Sequence, residues 1–513
     1  MGKDQTLLLC LTLILTAQLG QGEKVVLFPA PAASYVIYHT NIAKALMDLG
    51  HHVWICIPDY LSERVIAKDI PVNVIRYGKK MGNFEDNLLK NTRMVEAYWE
   101  GEANSILSFI PLMKEVKKFT RGVLSDAEFI ETLGDLKPDL MVFDGGALFK
   151  DVLVIAYKYD IPFAFIGTMH DMVLARVPFS PAAEPFPFGH DSNKMSFLSR
   201  VRNTLIALAM VSFDLFSEDI LSTFAPEKPY LSPSELALRA EVFIAEIDHV
   251  LDYPRPTLPN TKLIGGSSAS DPKPLKEDFK AFVDASTHGI AVVSFGSNEF
   301  PIPEAILLKL ASAFQRLDLN TVWRANLTSP DPKKIMTSNW IPQNDLLGQP
   351  NTKVFVSHCG KNGQYEALYH AVPILCLPIF GDQFYNLERI RLKGFGLGAD
   401  MREVSSEELA DLIKEVTYQP KYKTNIQRAS TLFKELYKVP MKEAAYWLDH
   451  VMKYGGEYMR SSGQEMPLYQ FLLIDVMAFL FGVLLGVIIF MCLVIRFLCT
   501  CLSRSKKSKT KTA

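Results

Sequence analysis

Short apolar runs and amphipathic stretches alternate along most of the chain. "KVVLF" (24–28) and "HVWICIP" (52–58) flank a segment with helical spacing of apolar residues. "PDLMVFD" and "IPFAFIG" flank another at 149–159. Strand, helix, strand at this spacing predicts a parallel sheet with helices on both faces. Long helical stretches rich in large apolar residues lie between these units and again from Met195 to Phe224. Core packing, cover for a pocket and contact with a membrane are all open for them. The Pro-rich segment "DYPRPTLPNTKLIGGSSASDPKPL" (252–275) breaks the pattern and reads as a linker. A second alternating set follows, through "GIAVVSFGS", "NTVWR", "TKVFVSH" and "VPILCLP". The expectation is an α/β chain with two successive doubly wound domains, 23–251 and 276–460, and a cleft between them.

The two ends depart from this alternation. "TLLLCLTLILTAQLGQG", after Lys3, has the pattern of a cleaved secretory signal, placed at 1–22. Val476 to Ile495 is uncharged between Asp475 and Arg496. Twenty residues at ~1.5 Å each span the ~30 Å hydrocarbon core of a bilayer. The basic tail 496–513 then belongs in the cytosol by the positive-inside rule. The reading is a type I single-pass protein whose mass lies almost wholly outside the cytosol. Lys509 and Lys511 are spaced like a dilysine retrieval signal for the endoplasmic reticulum. Of seven cysteines, only Cys56, Cys359 and Cys376 fall in the lumenal part, too few for a disulfide framework. Cys499 and Cys501 are candidates for palmitoylation, and Asn326 opens one glycosylation sequon. A formal net charge of -2 gives no electrostatic case for nucleic acid.

The chemistry concentrates at 340–386, "WIPQNDLLGQPNTKVFVSHCGKNGQYEALYHAVPILCLPIFGDQFYN". A strand ends in His358, and "CGKNG" turns into a helix. A helix N-terminus approached by small residues is an anion site, because its first N–H groups and dipole face outward. His358 and Lys361 add donors or charge beside it, and Glu366, one turn inside, can accept from vicinal hydroxyls. Trp340 offers a face on which a base can stack. "FGDQ" sets Asp382 and Gln383 at the neighbouring strand end. Together these suit a ligand with a base, a ribose, phosphates and a further polyhydroxyl group. The loop after the first strand, "PAPAAS", has no glycine and so lacks the usual phosphate-binding fingerprint.

This stretch resembles the signature of the UDP-glycosyltransferase family, whose vertebrate members include the UDP-glucuronosyltransferases. "PRPTLPNTKLIGG", "VVSFGS", "VWR", the membrane helix and the basic tail are similar too. The resemblance implies two Rossmann-like domains in the GT-B arrangement, donor held by the second and acceptor by the first. It places Trp340 on uracil with Gln343 nearby. Ser297, His358, Gly360, Asn362 and Gly363 would hold the diphosphate, with Arg324 in support. Glu366 would take the ribose hydroxyls, and Asp382 and Gln383 the sugar. Lys361 departs from the threonine usual in the vertebrate enzymes, and either strengthens phosphate binding or points to solvent. The implied partners are a UDP-sugar as co-substrate, a small lipophilic acceptor and membrane lipid. No cofactor or metal is implied, and association as a homo- or hetero-oligomer is open.

The implied reaction is inverting transfer, which for a weakly acidic hydroxyl needs a general base. In the family that base is a histidine fifteen residues before the "GH" that precedes the second strand. Here the position holds Tyr35, while Asp144 in "MVFDGG" matches the partner acid. Read from its place alone, Asp144 is an orienter, a base or a helix cap. A tyrosine, with an ordinary pKa near ~10, is a poor base. Asp144 acting on an acidic acceptor, directly or through water, is one alternative. His39, four residues on along the same helix face, is another, although its stripe continues through Ile42 and Leu46. Amine acceptors need no strong base. The rival class is a UDP-sugar-binding or ligand-binding protein with little turnover, and an adhesion protein would share the topology without the 340–386 signature.

Overall fold

The computed structural model describes residues 22–509 apart from 63–70, 92–93, 102–108, 146, 169, 171–173, 179, 187–190, 212–218 and 297–300. The first set of apolar runs forms one parallel sheet. Its strands are β1 (Lys24–Phe28), β2 (His52–Pro58), β3 (Asn73–Tyr77), β4 (Leu140–Asp144), β5 (Phe163–Gly167), β6 (Phe243–Ala245) and β7 (Thr261–Leu263), in the order β3-β2-β1-β4-β5-β6-β7. The strands β1, β4 and β5 are buried almost throughout, because helices cover both faces. Helix α1 (Ala33–Asp48) follows β1, and Glu85 Oε1 accepts from the Ala33 N–H at its start.

The second set forms another parallel sheet. It comprises β8 (Ile290–Ser294), β9 (Asn320–Arg324), β10 (Ile335–Ser338), β11 (Thr352–Ser357), β12 (Ile374–Cys376) and β13 (Gly396–Gly398), in the order β10-β9-β8-β11-β12-β13. Helix α2 (Lys361–Tyr369) follows β11 and α3 (Gln383–Lys393) follows β12. In each sheet the strand order reverses once, between β1 and β4 and between β8 and β11. Open parallel sheets bind ligands beyond the carboxyl ends of the strands at such a reversal. Tyr35 and Asp144 therefore flank one switch point, and Gly296 and His358 the other.

Two boundaries differ from the sequence reading. The expected linker 252–275 contains β7, which pairs with β6, so the first sheet continues past residue 251. Helix α4 (Pro440–Tyr454), expected with the second domain, packs on α1. Its Ala444, Ala445, Leu448 and Val451 share a core with Val36, Ile42, Ala43 and Leu46. Each such aliphatic burial contributes roughly 1.5–3 kcal/mol for the larger side chains. His51 Nε2 adds a 3.1 Å contact with Asp449 Oδ1. Helical periodicity identifies an apolar stripe but not the sheet against which it settles.

Residues 461–509 form a separate unit, in which helix α5 (Ile474–Lys509) is the longest element. Its Ile474–Thr500 part is long and apolar enough to cross a membrane, and it contains the expected span 476–495. The signal expected at 1–22 lies, but for Gly22, outside the described residues, as does Lys511 of the tail.

Candidate active site

The second switch point builds a cradle from glycines and one imidazole. Gly360 caps α2 in extended conformation, and Cys359 before it takes φ 68°. The His358 ring lies between two loops: a Cβ on Gly296 would fall 2.8 Å from its Nε2, and one on Gly360 only 2.4 Å away. Glycine is required at both positions by that close approach, and Gly296 also has φ 93°. Burial pushes His358 down to about 4, so its ring is neutral, and its one N–H meets the Ser294 carbonyl. Arg324, at the end of β9, donates to the Gly296 carbonyl and, at 3.1 Å, to that of Asn339. Its guanidinium stands 5.2 Å from the Trp340 ring centroid, and the ring is 56% exposed. Arg324 thus supports both the glycine loop and the indole.

Gln343 Nε2 donates to Glu366 Oε2, which joins the first turn of a short helix to the second turn of α2. Burial pushes the Glu366 carboxyl up to about 7, against the Gln343 hydrogen bond. Gly363 lets α2 approach β11, since a Cβ there would sit 3.0 Å from Phe355 Cε1. The Asn362 carbonyl accepts from Ser268 Oγ at 3.1 Å. Asp382 Oδ2 accepts from Asn386 Nδ2 at 2.9 Å, while Gln383 Oε1 accepts from the N–H groups of Ile379 and Phe380 at 2.7 and 3.1 Å. Gln383 therefore shapes the "FGDQ" loop with its carbonyl oxygen. Ser297 lies outside the described residues.

Across the cleft, Asp144 closes β4 and is buried, and with Lys150 it lines a small cavity among the rings of Phe28, Phe143, Phe149 and Phe165. The glycine-free loop contributes Pro29 and Ala30 to the same pocket. Tyr35 is half-buried at the start of α1. Burial raises its phenol, and the charges of Asp144 and Asp382 raise it further, so it stays protonated. Another tyrosine is bonded to Asp144: Tyr38, 1% exposed, donates to Asp144 Oδ2. His39 does not stand in the cleft. It is fully buried, its ring packs 4.4 Å from that of Tyr38, and its Nδ1 donates to the Tyr35 carbonyl at 3.0 Å. Burial pushes its imidazole down to about 3, because the enclosed ring cannot be solvated as a cation.

The family model described as "UDP-glucoronosyl and UDP-glucosyl transferase" matches residues 23–509. The chain belongs to that family. UDP-glucuronosyltransferase 1A7 of Mus musculus is 29% identical, over 94% of this chain and 93% of that one. UDP-glucuronosyltransferase 1A1 of Mus musculus is 32% identical, over 72% of this chain and 71% of that one. Among solved structures, the Phytolacca americana UGT2 complexed with UDP-2fluoro-glucose and pterostilbene superposes with a TM-score of 0.57 at 16% identity, covering 84% of this chain and 99% of that one. The spinosyn forosaminyltransferase SpnP gives 0.58 at 14% identity, covering 84% and 100%. These likenesses show the GT-B fold.

In this UDP-glycosyltransferase, Lys361 does not point to solvent. Its Nζ donates to Asp252 Oδ2 at 3.1 Å, inside a cluster where Arg389 donates to Asp252 Oδ1 and Arg255 lies 3.9 Å from the same oxygen. Arg255 also donates to Tyr385 Oη at 2.8 Å. The count of cysteines likewise understated their role. Cys359 and Cys376 form a disulfide, with Cα atoms 5.1 Å apart, that ties the glycine cradle to the end of β12. Sequence reasoning missed Tyr38, Asp252, Arg389 and Glu246. Glu246 follows β6, is 1% exposed and has an Oε2 without a hydrogen-bond partner among the described residues. No periodicity distinguishes these side chains from ordinary core or surface positions. The one usable signal was the charge of Asp252 between the apolar Leu251 and Tyr253.

Proposed function

We propose that this UDP-glycosyltransferase is a membrane-anchored inverting enzyme that moves glucuronic acid or a neutral hexose from UDP to a small lipophilic acceptor, without a metal. Uracil stacks on Trp340, the ribose hydroxyls donate to Glu366, and the diphosphate rests on the α2 N-terminus beside Ser297, His358, Asn362 and Gly363. Asp382 and Gln383 meet the sugar. The Ile474–Thr500 helix is the anchor, and the catalytic part lies in the lumen of the endoplasmic reticulum. The tail lysines and the exposed position of Asn326 agree with that placement.

The observation that carries the chemical reading is the buried Asp144 carboxylate at the carboxyl end of β4, beside the strand-order reversal of the first sheet and next to two phenols that remain protonated. An acceptor held at that strand end presents its hydroxyl to Asp144. Its proton passes to the carboxylate, its oxygen bonds to the anomeric carbon, and the bond from that carbon to UDP breaks. The charge on the departing UDP falls on the α2 N–H groups. A carboxylate is a weak base, so acidic phenols and amines are preferred over simple alcohols.

Microsomal protein incubated with panels of UDP-sugars and of phenol, alcohol and amine acceptors tests this. Product from phenols or amines, lost in Asp144→Asn for phenols, is the expected result. Efficient transfer to simple alcohols, retained in Asp144→Asn, overturns the role of Asp144. UDP binding without product from any pair favours a ligand-binding protein instead.

A further inference from the structure

A buried base must be satisfied both before and after it takes a proton, since an unpaired buried polar group is costly. Tyr38 has the geometry to meet that requirement at Asp144. Its hydroxyl donates to Asp144 Oδ2 and lies 3.3 Å from the carbonyl oxygen of Ile166, on the neighbouring strand β5. A phenol has one proton and can also accept. With Asp144 ionised, the proton points to the carboxylate. With Asp144 protonated, the carboxylic acid donates to the phenol oxygen and the phenol proton turns to Ile166. Neither state leaves a polar group stranded.

We propose that Tyr38 is the positioning residue of Asp144, holding the carboxylate ionised and aimed before reaction and turning to the Ile166 carbonyl once the acceptor's proton has arrived. This rests on the reading of Asp144 as the proton acceptor. The role differs from that of an imidazole at residue 35, because Tyr38 touches Asp144 from within the core and does not reach substrate. The phenol keeps its own proton throughout. Burial, and then the Asp144 charge, raise it far above its ordinary value.

Other groups act on the same centre from every side. Tyr35 and His39 flank Tyr38 on α1, with Tyr35 3 residues before it. Glu246 comes from the end of β6. Burial and the Asp144 charge push it up to about 7, with Ser267 and Lys361 opposing. Lys150 shares the aromatic pocket with Asp144, and Asp382 bears on Tyr35 from the second domain. A pH profile therefore carries contributions from Glu246 and Glu366 as well. The Tyr38 effect is read as a difference between variants at saturating donor.

The test measures kcat against pH for a phenol acceptor at saturating UDP-sugar, in the full-length protein. A donor to an ionised carboxylate favours that form. Tyr38→Phe should move the acid limb up by about one unit, with UDP affinity unchanged. Replacing Tyr38 with 3,5-difluorotyrosine strengthens the donor and should move the limb down, which keeps the test decisive where the phenylalanine variant fails to fold. An unmoved limb in the folded variants, with Asp144→Asn inactive, overturns the role of Tyr38 and leaves Asp144 as base. Full activity of Asp144→Asn on the phenol overturns both.

Discussion

Lys361 Nζ donates to Asp252 Oδ2 at 3.1 Å, so the first residue of α2 is locked to the segment leading into the first sheet's last strand. Lys361 and Asp252 are both buried, and Arg389 and Arg255 surround the same carboxylate. Removing the carboxylate strands three cations, and breaking a buried pair in this way costs ~3–5 kcal/mol.

Asp252→Asn should therefore lower stability by roughly that amount, whereas Lys361→Thr, which leaves Arg389 in place, should cost less. Burial alone would raise Asp252, but Arg389, Lys361 and Arg255 outweigh it and hold the carboxyl below the usual range. A depressed carboxylate stabilises the fold above the unfolded pKa of ~3.9, and that contribution disappears as pH falls through the folded value. Urea unfolding at pH 7 and pH 3 checks this. The gap between wild type and Asp252→Asn should be full at pH 7 and narrowed at pH 3, and an equal gap at both removes the electrostatic explanation.

Trp340 carries its cost in binding and not in folding. The ring is more than half exposed, and stacking of a base on an aromatic ring contributes ~1–3 kcal/mol. Trp340→Ala should weaken UDP by about 5- to 150-fold in calorimetric titration with little change in the urea midpoint. Unchanged UDP affinity would place the base elsewhere.

Glu366 sets a pH dependence on the donor side. Its carboxyl is raised from 4.5 to about 7. The unliganded fold gains stability from this group below the unfolded value and loses that gain as pH rises through about 7. Ribose hydroxyls donate to the ionised form, so UDP affinity should rise between pH 6 and pH 8. Glu366→Gln should flatten the rise. A wild-type affinity that falls over the same interval contradicts a ribose contact there.

The Cys359–Cys376 disulfide closes a sequence separation of 17 residues, for which chain entropy gives ~3 kcal/mol. The Cys359 carbonyl also accepts from Gln364 Nε2 at 2.8 Å and Asn386 Nδ2 at 3.0 Å, so the bond anchors a hub that joins α2 and α3. Cys359→Ser with Cys376→Ser should lower stability by about that amount and weaken UDP binding. Non-reducing peptide mapping should recover the linked pair from the wild type. Recovery of both peptides unlinked refutes the pairing.

Much of the molecule was legible without coordinates because its signals are local. Strand periodicity separated the two sheets, and twenty uncharged residues marked the candidate membrane helix. Gly360, Trp340, Glu366 and Asp382 could be nominated as donor residues because they lie in one contiguous stretch, 340–386. Tyr35 stood out because counting from Gly50 reaches it directly.

What the sequence determined by itself was the class of fold and the family, with the candidate donor residues written in contiguous stretches. Tertiary structure alone decided the rest. It placed α4 on α1, set β7 into the first sheet, sent Lys361 to Asp252, enclosed His39 and brought Tyr38 onto Asp144 across 106 residues. Each of these depends on which groups share a low-dielectric interior, where an unpaired charge or hydroxyl is costly and must find a partner. Distance along the chain carries no information about that partner; packing supplies it.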